Sequence, residues 1–226
     1  MPHVLDRPVW SALSSRHAGL AEGGALARRY PASVTAFAAA RDDSPESLRA
    51  LEELVGPEHG QILLRADEIV LPQGLAATMT ALGVQMIADR SQPRIADERI
   101  ERLTQADAEE MLALATLTKP GPFSLRAQCL GDFFGVRMDG RLAAMAGERM
   151  KQDGYTEVSG VCTHPDFRGR GLARLLSQFV AGRVSHRGEV PYLHAFATNA
   201  PAIALYEGLG FKLRCMMNVA FVQRRA

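Results

Sequence analysis

Cys162-Thr163-His164-Pro165-Asp166-Phe167-Arg168-Gly169-Arg170-Gly171-Leu172-Ala173 separates two different hydrophobic periods. Before it, Tyr155–Thr163 reads as a strand. After it, Leu172, Leu175, Leu176, Phe179 and Val180 recur at helical spacing and give Gly171–His186 one apolar face. The segment is therefore a strand-to-helix turn. A helix N-terminus presents unpaired N–H groups and partial positive charge, which suits phosphate. Gly169 and Gly171 allow close approach of the backbone, and Arg168 and Arg170 add charge beside it. Other readings compete. A dinucleotide fingerprint wants a third glycine at position 174, which is Arg174, and a nucleotide P-loop wants Gly-Lys-Ser/Thr, which is missing. A plain glycine-rich connector with solvated arginines is the third.

Outward from the turn, the C-terminal half is regular. Ile100–Leu103 reads as a short strand, and Thr104 with Asp107 has capping-box spacing for a helix that turns Met111, Leu112, Leu114 and Ala115 inward. Lys119-Pro120-Gly121-Pro122 ends that helix. Asp132–Met138, Arg141–Met150 and Tyr155–Thr163 are strands, joined by turns at Asp139-Gly140 and Gln152-Asp153-Gly154 into an antiparallel meander. Tyr192–Ala197 is a further strand. Asn199 caps a helix over Ala200–Leu209 that Gly210 ends, and Phe211–Val222 is the last strand.

The N-terminal half says less. Ser11–Arg29 reads as a weakly started helix, Ser33–Ala40 as a strand, and Gln61–Ala66 and Asp67–Leu71 as short strands. Ser44 and Pro45 open a helix with Leu48, Leu51, Leu54 and Val55 inward, and Gly56-Pro57 stops it. The polar run Asp89–Asp97 is a composition shift, which divides the chain into regions 1–92 and 93–226.

With 226 residues, 47% hydrophobic and 23% charged, the chain has the composition of one large or two small globular domains. Its net charge of +1 gives no general attraction to nucleic acid or an anionic membrane. No apolar run has signal-peptide or membrane-spanning length. Cys129, Cys162 and Cys215 are scattered, which fits reduced thiols in a cytoplasmic protein, and no Cys/His spacing suits a metal.

Arg168-x-x-Gly171-x-Ala173 resembles the Gln/Arg-x-x-Gly-x-Gly/Ala signature of the GNAT N-acetyltransferase superfamily, in its expected place between strand and helix. Asn199-Ala200-Pro201-Ala202-Ile203-Ala204-Leu205-Tyr206-Glu207-Gly208-Leu209-Gly210-Phe211 is similar to that family's Asn-x-x-Ala-x-x-Leu-Tyr-x-x-x-Gly-Phe segment. Glu157–Ala173 resembles the FR47-like branch. The resemblance covers roughly 98–222. It implies an α/β (α+β) GNAT fold, a mixed central sheet with helices on both faces, preceded by an N-terminal α/β region. A degenerate second copy of the same fold is one reading of that region.

The same resemblance implies transfer of acetyl from acetyl-CoA to a primary amine, without metal. The N–H groups of Arg168, Gly169, Arg170, Gly171, Leu172 and Ala173 would cradle the pyrophosphate. Val161, Cys162 and Thr163 would pair with the pantetheine arm, and Asn199 would face that arm or the acetyl end. The strands 155–163 and 192–197 would splay to admit the thioester. A backbone N–H at a bulge near Val161, made plausible by Gly160, would polarise the carbonyl. Tyr206 is the candidate general acid and Glu157 the candidate base, against core-tyrosine and solvent-facing readings. His164 and His194 are further candidate bases, and a water relay is the remaining route for the amine's proton. Glu148 and Arg149 line the acceptor side or form an exposed hairpin pair. Lys119–Phe123 matches the family's acceptor loop. The acceptor (small amine, amino acid, antibiotic or protein N-terminus), the acyl length and the choice of monomer or homodimer stay open. The alternative from another class is a non-catalytic acyl-CoA-binding sensor or docking module.

Overall fold

The computed structural model describes residues 3–56 and 60–225. In chain order its elements are α1 (Pro8–Ser14), β1 (Glu22–Gly23), β2 (Ala27–Arg29), β3 (Ala38–Ala40), α2 (Pro45–Leu54), β4 (Gln61–Arg65), β5 (Leu75–Ala88) and β6 (Ile100–Leu103). They continue with α3 (Ala108–Thr118), β7 (Phe133–Met138), β8 (Arg141–Gln152), β9 (Tyr155–Thr163), α4 (Leu172–His186), β10 (Val190–Phe196), α5 (Ala200–Glu207) and β11 (Phe211–Arg224).

Eight strands make one sheet in the order β4-β11-β5-β10-β9-β8-β7-β6. Among the described strands of this sheet only β9 and β10 run parallel; the other pairs are antiparallel. Alternation along the strands separates two cores. Val84, Met86, Val158 and Leu193 point to the face covered by α4, meeting Leu172, Leu176 and Val180. Met150, Tyr192 and Met217 point the other way, toward Val9 and Leu13 of α1. Met111, Leu114 and Ala115 of α3 cover Met145 and Cys162 beside them. Helices thus lie on both faces of a mixed sheet.

The N-terminal half corrects several expectations. Ser11–Arg29 is not one helix: α1 ends at Ser14, and the chain then makes β1 and β2 of a small three-stranded sheet with β3. Of the expected strand 33–40, Ala38–Ala40 forms β3 and Phe37 makes a single bridge to Ile62, and Asp67–Leu71 forms no strand. The helix opened by Ser44 is present, its cap side chain accepting from Ser47 N–H at 3.3 Å. Pro57, half of its expected stop, lies outside the described residues. Instead of a second copy of the fold, this half supplies β4 and β5 to the single sheet, and β5 lies between β10 and β11. The polar run after Asp89 joins two strands of that sheet.

The N-terminal packing carries a pH signature. His17 is 5% exposed and its Nδ1 lies 2.8 Å from the Tyr30 hydroxyl. Burial, helped by nearby Lys151, pushes its pKa down to about 4. The unfolded chain, near 6.5, binds the proton more readily, so this contribution is complete above about pH 6.5 and is lost as pH falls toward 4. Its ceiling is about 3 kcal/mol. Urea unfolding at pH 7.5 and 4.5 should show a smaller acid loss in His17→Gln than in the parent; equal losses would count against it.

Candidate active site

The turn at 168–173 folds as its composition requires. Gly169 and Gly171 take φ of +76° and +74°, a left-handed region that strains any side-chain-bearing residue. Gly171 is the N-cap of α4, no side chain caps that end, and no acidic residue sits in the first turn. The orphan N–H groups of α4 therefore face outward unsatisfied by any side chain. A Cβ built on either glycine meets nothing within 4 Å.

This end of α4 faces a cleft of about 510 Å³. Val161, Cys162, Thr163, Arg168, Gly169, Arg170, Gly171, Leu172, Ala173, Asn199 and Tyr206 all line it. Lys119, Arg168, Arg170 and Arg174 are its charged lining residues, with no carboxylate among them. A helix N-terminus, two glycines in the left-handed region and four cations suit a polyphosphate.

The cleft continues between two strands. β9 and β10 pair over only three positions, Tyr155 with Val190, Thr156 with Pro191 and Glu157 with Tyr192. Beyond these they part, up to Thr163 and Phe196. On the other side of β9 the register slips between Cys162 opposite Met145 and Ser159 opposite Gly147, so a bulge falls at Gly160–Val161. Gly160 takes φ +64° there.

Tyr206 is 8% exposed on α5. Burial, then the neighbouring Cys162, pushes its pKa up to about 12. Cys162 is itself pushed up to about 11 by burial, so it is a neutral thiol at physiological pH. Asn199 caps α5, its Oδ1 accepting from Ala202 N–H at 3.2 Å. That leaves its amide hydrogens for the cleft.

The other named residues divide. Lys119, in left-handed conformation at φ 51°, ends α3, and with Pro120 it lines both this cleft and a second cavity of about 340 Å³. Gly121, Pro122, Arg149 and His194 line the second cavity. Glu148 is buried away from both, paired with Lys151 at 2.6 Å and Arg187 at 2.8 Å, so it is neither a cavity residue nor exposed. His164 accepts from Asp166 N–H at 3.2 Å and caps the short turn Pro165–Phe167.

Glu157 requires a correction. It is fully buried rather than solvent-facing. A second slip, in β8 at Arg149–Met150, sets both residues opposite it. Arg149 donates to it twice, Nε at 2.8 Å and Nη2 at 2.6 Å, and Met150 N–H donates at 3.3 Å. His194 Nδ1 is 2.7 Å away. Burial alone would raise the carboxyl's pKa, but Arg149 and His194 hold it far below the usual carboxylate range. A carboxylate so engaged is a weaker base than a free one, and it holds Arg149 and His194 in place.

His194 is held from both sides. With Nδ1–H donating to Glu157, Nε2 accepts from Gln85 Nε2 at 2.9 Å. The other amide hydrogen of Gln85 goes to Leu5 O at 2.9 Å, and its oxygen accepts from Arg214, which binds Asp6 at 2.6 Å. The tautomer follows from these partners. Gln85 and Arg214 escaped sequence reading because nothing in the sequence marks β5 as the neighbour of β10.

Glu157→Gln strands the buried Arg149 guanidinium, at an expected cost of about 3–5 kcal/mol. Urea unfolding checks this, and adding Arg149→Met should recover much of the loss. Unchanged stability in the single variant would contradict the network.

Comparison with known proteins fits this geometry. The family model described as FR47-like protein matches residues 134–221. A solved structure described as a putative acetyltransferase from the GNAT family of Novosphingobium aromaticivorans is 42% identical, with both chains covered in full and a TM-score of 0.94. A GCN5-related N-acetyltransferase from Kribbella flavida shares the fold at TM-score 0.63 and 15% identity, covering 96% of this chain and 93% of that one. The [ribosomal protein bS18]-alanine N-acetyltransferase of Salmonella typhimurium is 42% identical over 74 residues, 32% of this chain and 49% of that protein. The chain spans about half the length of the curated relatives it matches.

Proposed function

Since the chain belongs to the GCN5-related N-acetyltransferase (GNAT) family, we propose that it moves the acetyl group of acetyl-CoA to a primary amine. The observation that carries this is the α4 N-terminus without a side-chain cap. Its glycines open onto a cleft with four cations and no carboxylate among its charged lining residues, and the cleft runs on between β9 and β10. The N–H groups of 168–173 would hold the pyrophosphate, and Val161, Cys162 and Thr163 the pantetheine arm. Asn199 would donate its amide to that arm.

In the transfer, the neutral amine's lone pair attacks the thioester carbonyl carbon. The bulge at Gly160–Val161 offers a backbone N–H to the developing oxyanion. C–N forms, C–S breaks, and the electron pair leaves on sulfur. Tyr206 is protonated throughout the physiological range, so its hydroxyl donates to that sulfur. Because a free thiol titrates near 8.5, full transfer from Tyr206 is uphill, and its effect is a hydrogen bond at the moment of cleavage. The amine's surplus proton leaves to solvent, since Glu157 and His194 Nε2 are already engaged. The thiolate, released from its hydrogen bond to Tyr206, takes a proton from solvent, and the products are the acetamide and free CoA thiol.

The relatives named for ribosomal protein bS18 make a protein N-terminus one class of acceptor to test. A cytoplasmic setting fits a cosubstrate of central metabolism and three free cysteines. Thiol release from acetyl-CoA, followed with a panel of primary amines, tests the proposal. Amine-dependent release supports an enzyme. Tight acetyl-CoA binding with no release across the panel would favour a non-catalytic acyl-CoA-binding module.

A further inference from the structure

The second cavity lies on the α1 face of the sheet, against the end of β10 (His194, Ala195 and Phe196), and shares Lys119 and Pro120 with the donor cleft. Its walls are apolar: Phe37, Leu64, Met79, Phe196, Met217 and Val219 stand over β4, β11, β5 and β10. Phe37, Leu64 and Met79 precede the segment matched by the family model, so this wall belongs to the chain's own N-terminal half.

Its polar groups are few, and their charge is accounted for. Arg149 lines it, but the guanidinium is bound twice by Glu157 and lies 4.9 Å from the Phe37 ring centre. Glu157 is fully buried behind Arg149 and His194 and does not line the cavity. His194 presents a ring whose nitrogens are both engaged. Lys119 is the other basic residue in its lining. Among the described residues no carboxylate faces this space, so a second ammonium on an acceptor would be desolvated without a counter-ion. Arg149, already paired, offers no free fork to an acceptor carboxylate.

We propose that this cavity takes the body of the acceptor, and that the acceptor is a primary monoamine on an uncharged aromatic or branched aliphatic group. This rests on the acetyl-transfer reading for the direction in which the amine points; the cavity's preference for an apolar body does not. About 340 Å³ is of the size that small-ligand sites have, and a mostly apolar lining with few fixed polar groups is their usual character. The apolar body would rest against Phe37, Met79 and Val219. Its amine would point past Pro120 toward the gap where the thioester carbonyl arrives.

The test is calorimetric titration with 2-phenylethylamine, spermidine and a short alanine-initiated peptide, each run on the protein alone and saturated with CoA. The expected result is 2-phenylethylamine binding about tenfold or more tightly than either of the others, the ratio that burying one ring against apolar walls supplies. Met79 is 51% exposed, so Met79→Asp sets a carboxylate at the cavity wall without touching a packed core. It should weaken 2-phenylethylamine about tenfold and strengthen spermidine. Spermidine or the peptide binding as well as the apolar amine, or Met79→Asp changing nothing, overturns the inference. Acetyl-CoA is titrated into the same samples. Loss of that binding with the amine preference intact removes the donor reading and leaves the cavity assignment standing.

Discussion

Gly171→Val is expected to remove measurable acetyl-CoA binding while leaving the far-ultraviolet circular dichroism unchanged. Position 171 has φ +74° and caps α4, and a Cβ there meets no protein atom within 4 Å. Packing therefore does not oppose the side chain. The folded state bears only the strain of a left-handed β-branched residue, about 1–2 kcal/mol or somewhat more. The open space is where a phosphate would approach the N–H groups. A valine there blocks at least one charge-assisted hydrogen bond and turns others out of line, each worth about 1.5–3 kcal/mol. Losing two reduces affinity by about 100-fold or more. Gly171→Ala, smaller but equally strained, should fall between. Calorimetry measures the affinity and circular dichroism controls for folding. Undiminished binding by the valine variant would mean that phosphate is held elsewhere.

Tyr206→Phe is expected to lower kcat about 100-fold, in the range that one preorganised hydrogen-bond donor to developing charge contributes, with little change in acetyl-CoA affinity. The ring stays, so its packing against Phe211, 6.2 Å between centroids, is kept; only the hydroxyl is lost. Burial has pushed the phenol to about 12, so the hydroxyl carries its proton at every pH at which the fold is assayed. The sign follows: a group with a raised pKa loses its proton only on the alkaline side, so the parent's kcat should show no ionisation from Tyr206 below about pH 11. Steady-state kinetics of both proteins from pH 6 to 10 checks this. Equal turnover would mean that the hydroxyl gives the departing sulfur no hydrogen bond that matters to the rate.

The C-terminal elements were legible because each carried local punctuation. Asp139-Gly140 and Gln152-Asp153-Gly154 delimit β8, Gly169 and Gly171 open α4, and Asn199 and Gly210 bracket α5. Gly160 announced the bulge in β9. β5 had no such marks. Leu75–Ala88 is rich in alanine and methionine, and Gly83, Val84, Gln85 and Met86 are all buried in succession, so it lacks the alternation of a half-exposed strand. Missing β5 hid Gln85, and with it the fixing of His194. The same gap concealed Met79 and Gly83, and the second cavity could not be drawn. Glu157 looked like a free carboxylate because its partners depend on a slip in β8 that leaves no trace in composition. In the N-terminal half, alanine and leucine around Ser11–Arg29 gave helical propensity, but tertiary pairing of Ala27–Arg29 with Ala38–Ala40 prevailed.

The donor site is tested most directly by calorimetric titration of the purified protein with acetyl-CoA. The expected result is a single site of micromolar affinity that weakens as salt screens the phosphate contacts. No heat of binding at protein concentrations well above that range would contradict it: the turn at Arg168–Ala173 would then be a structural connector, and acetyl transfer would have to be abandoned for this chain.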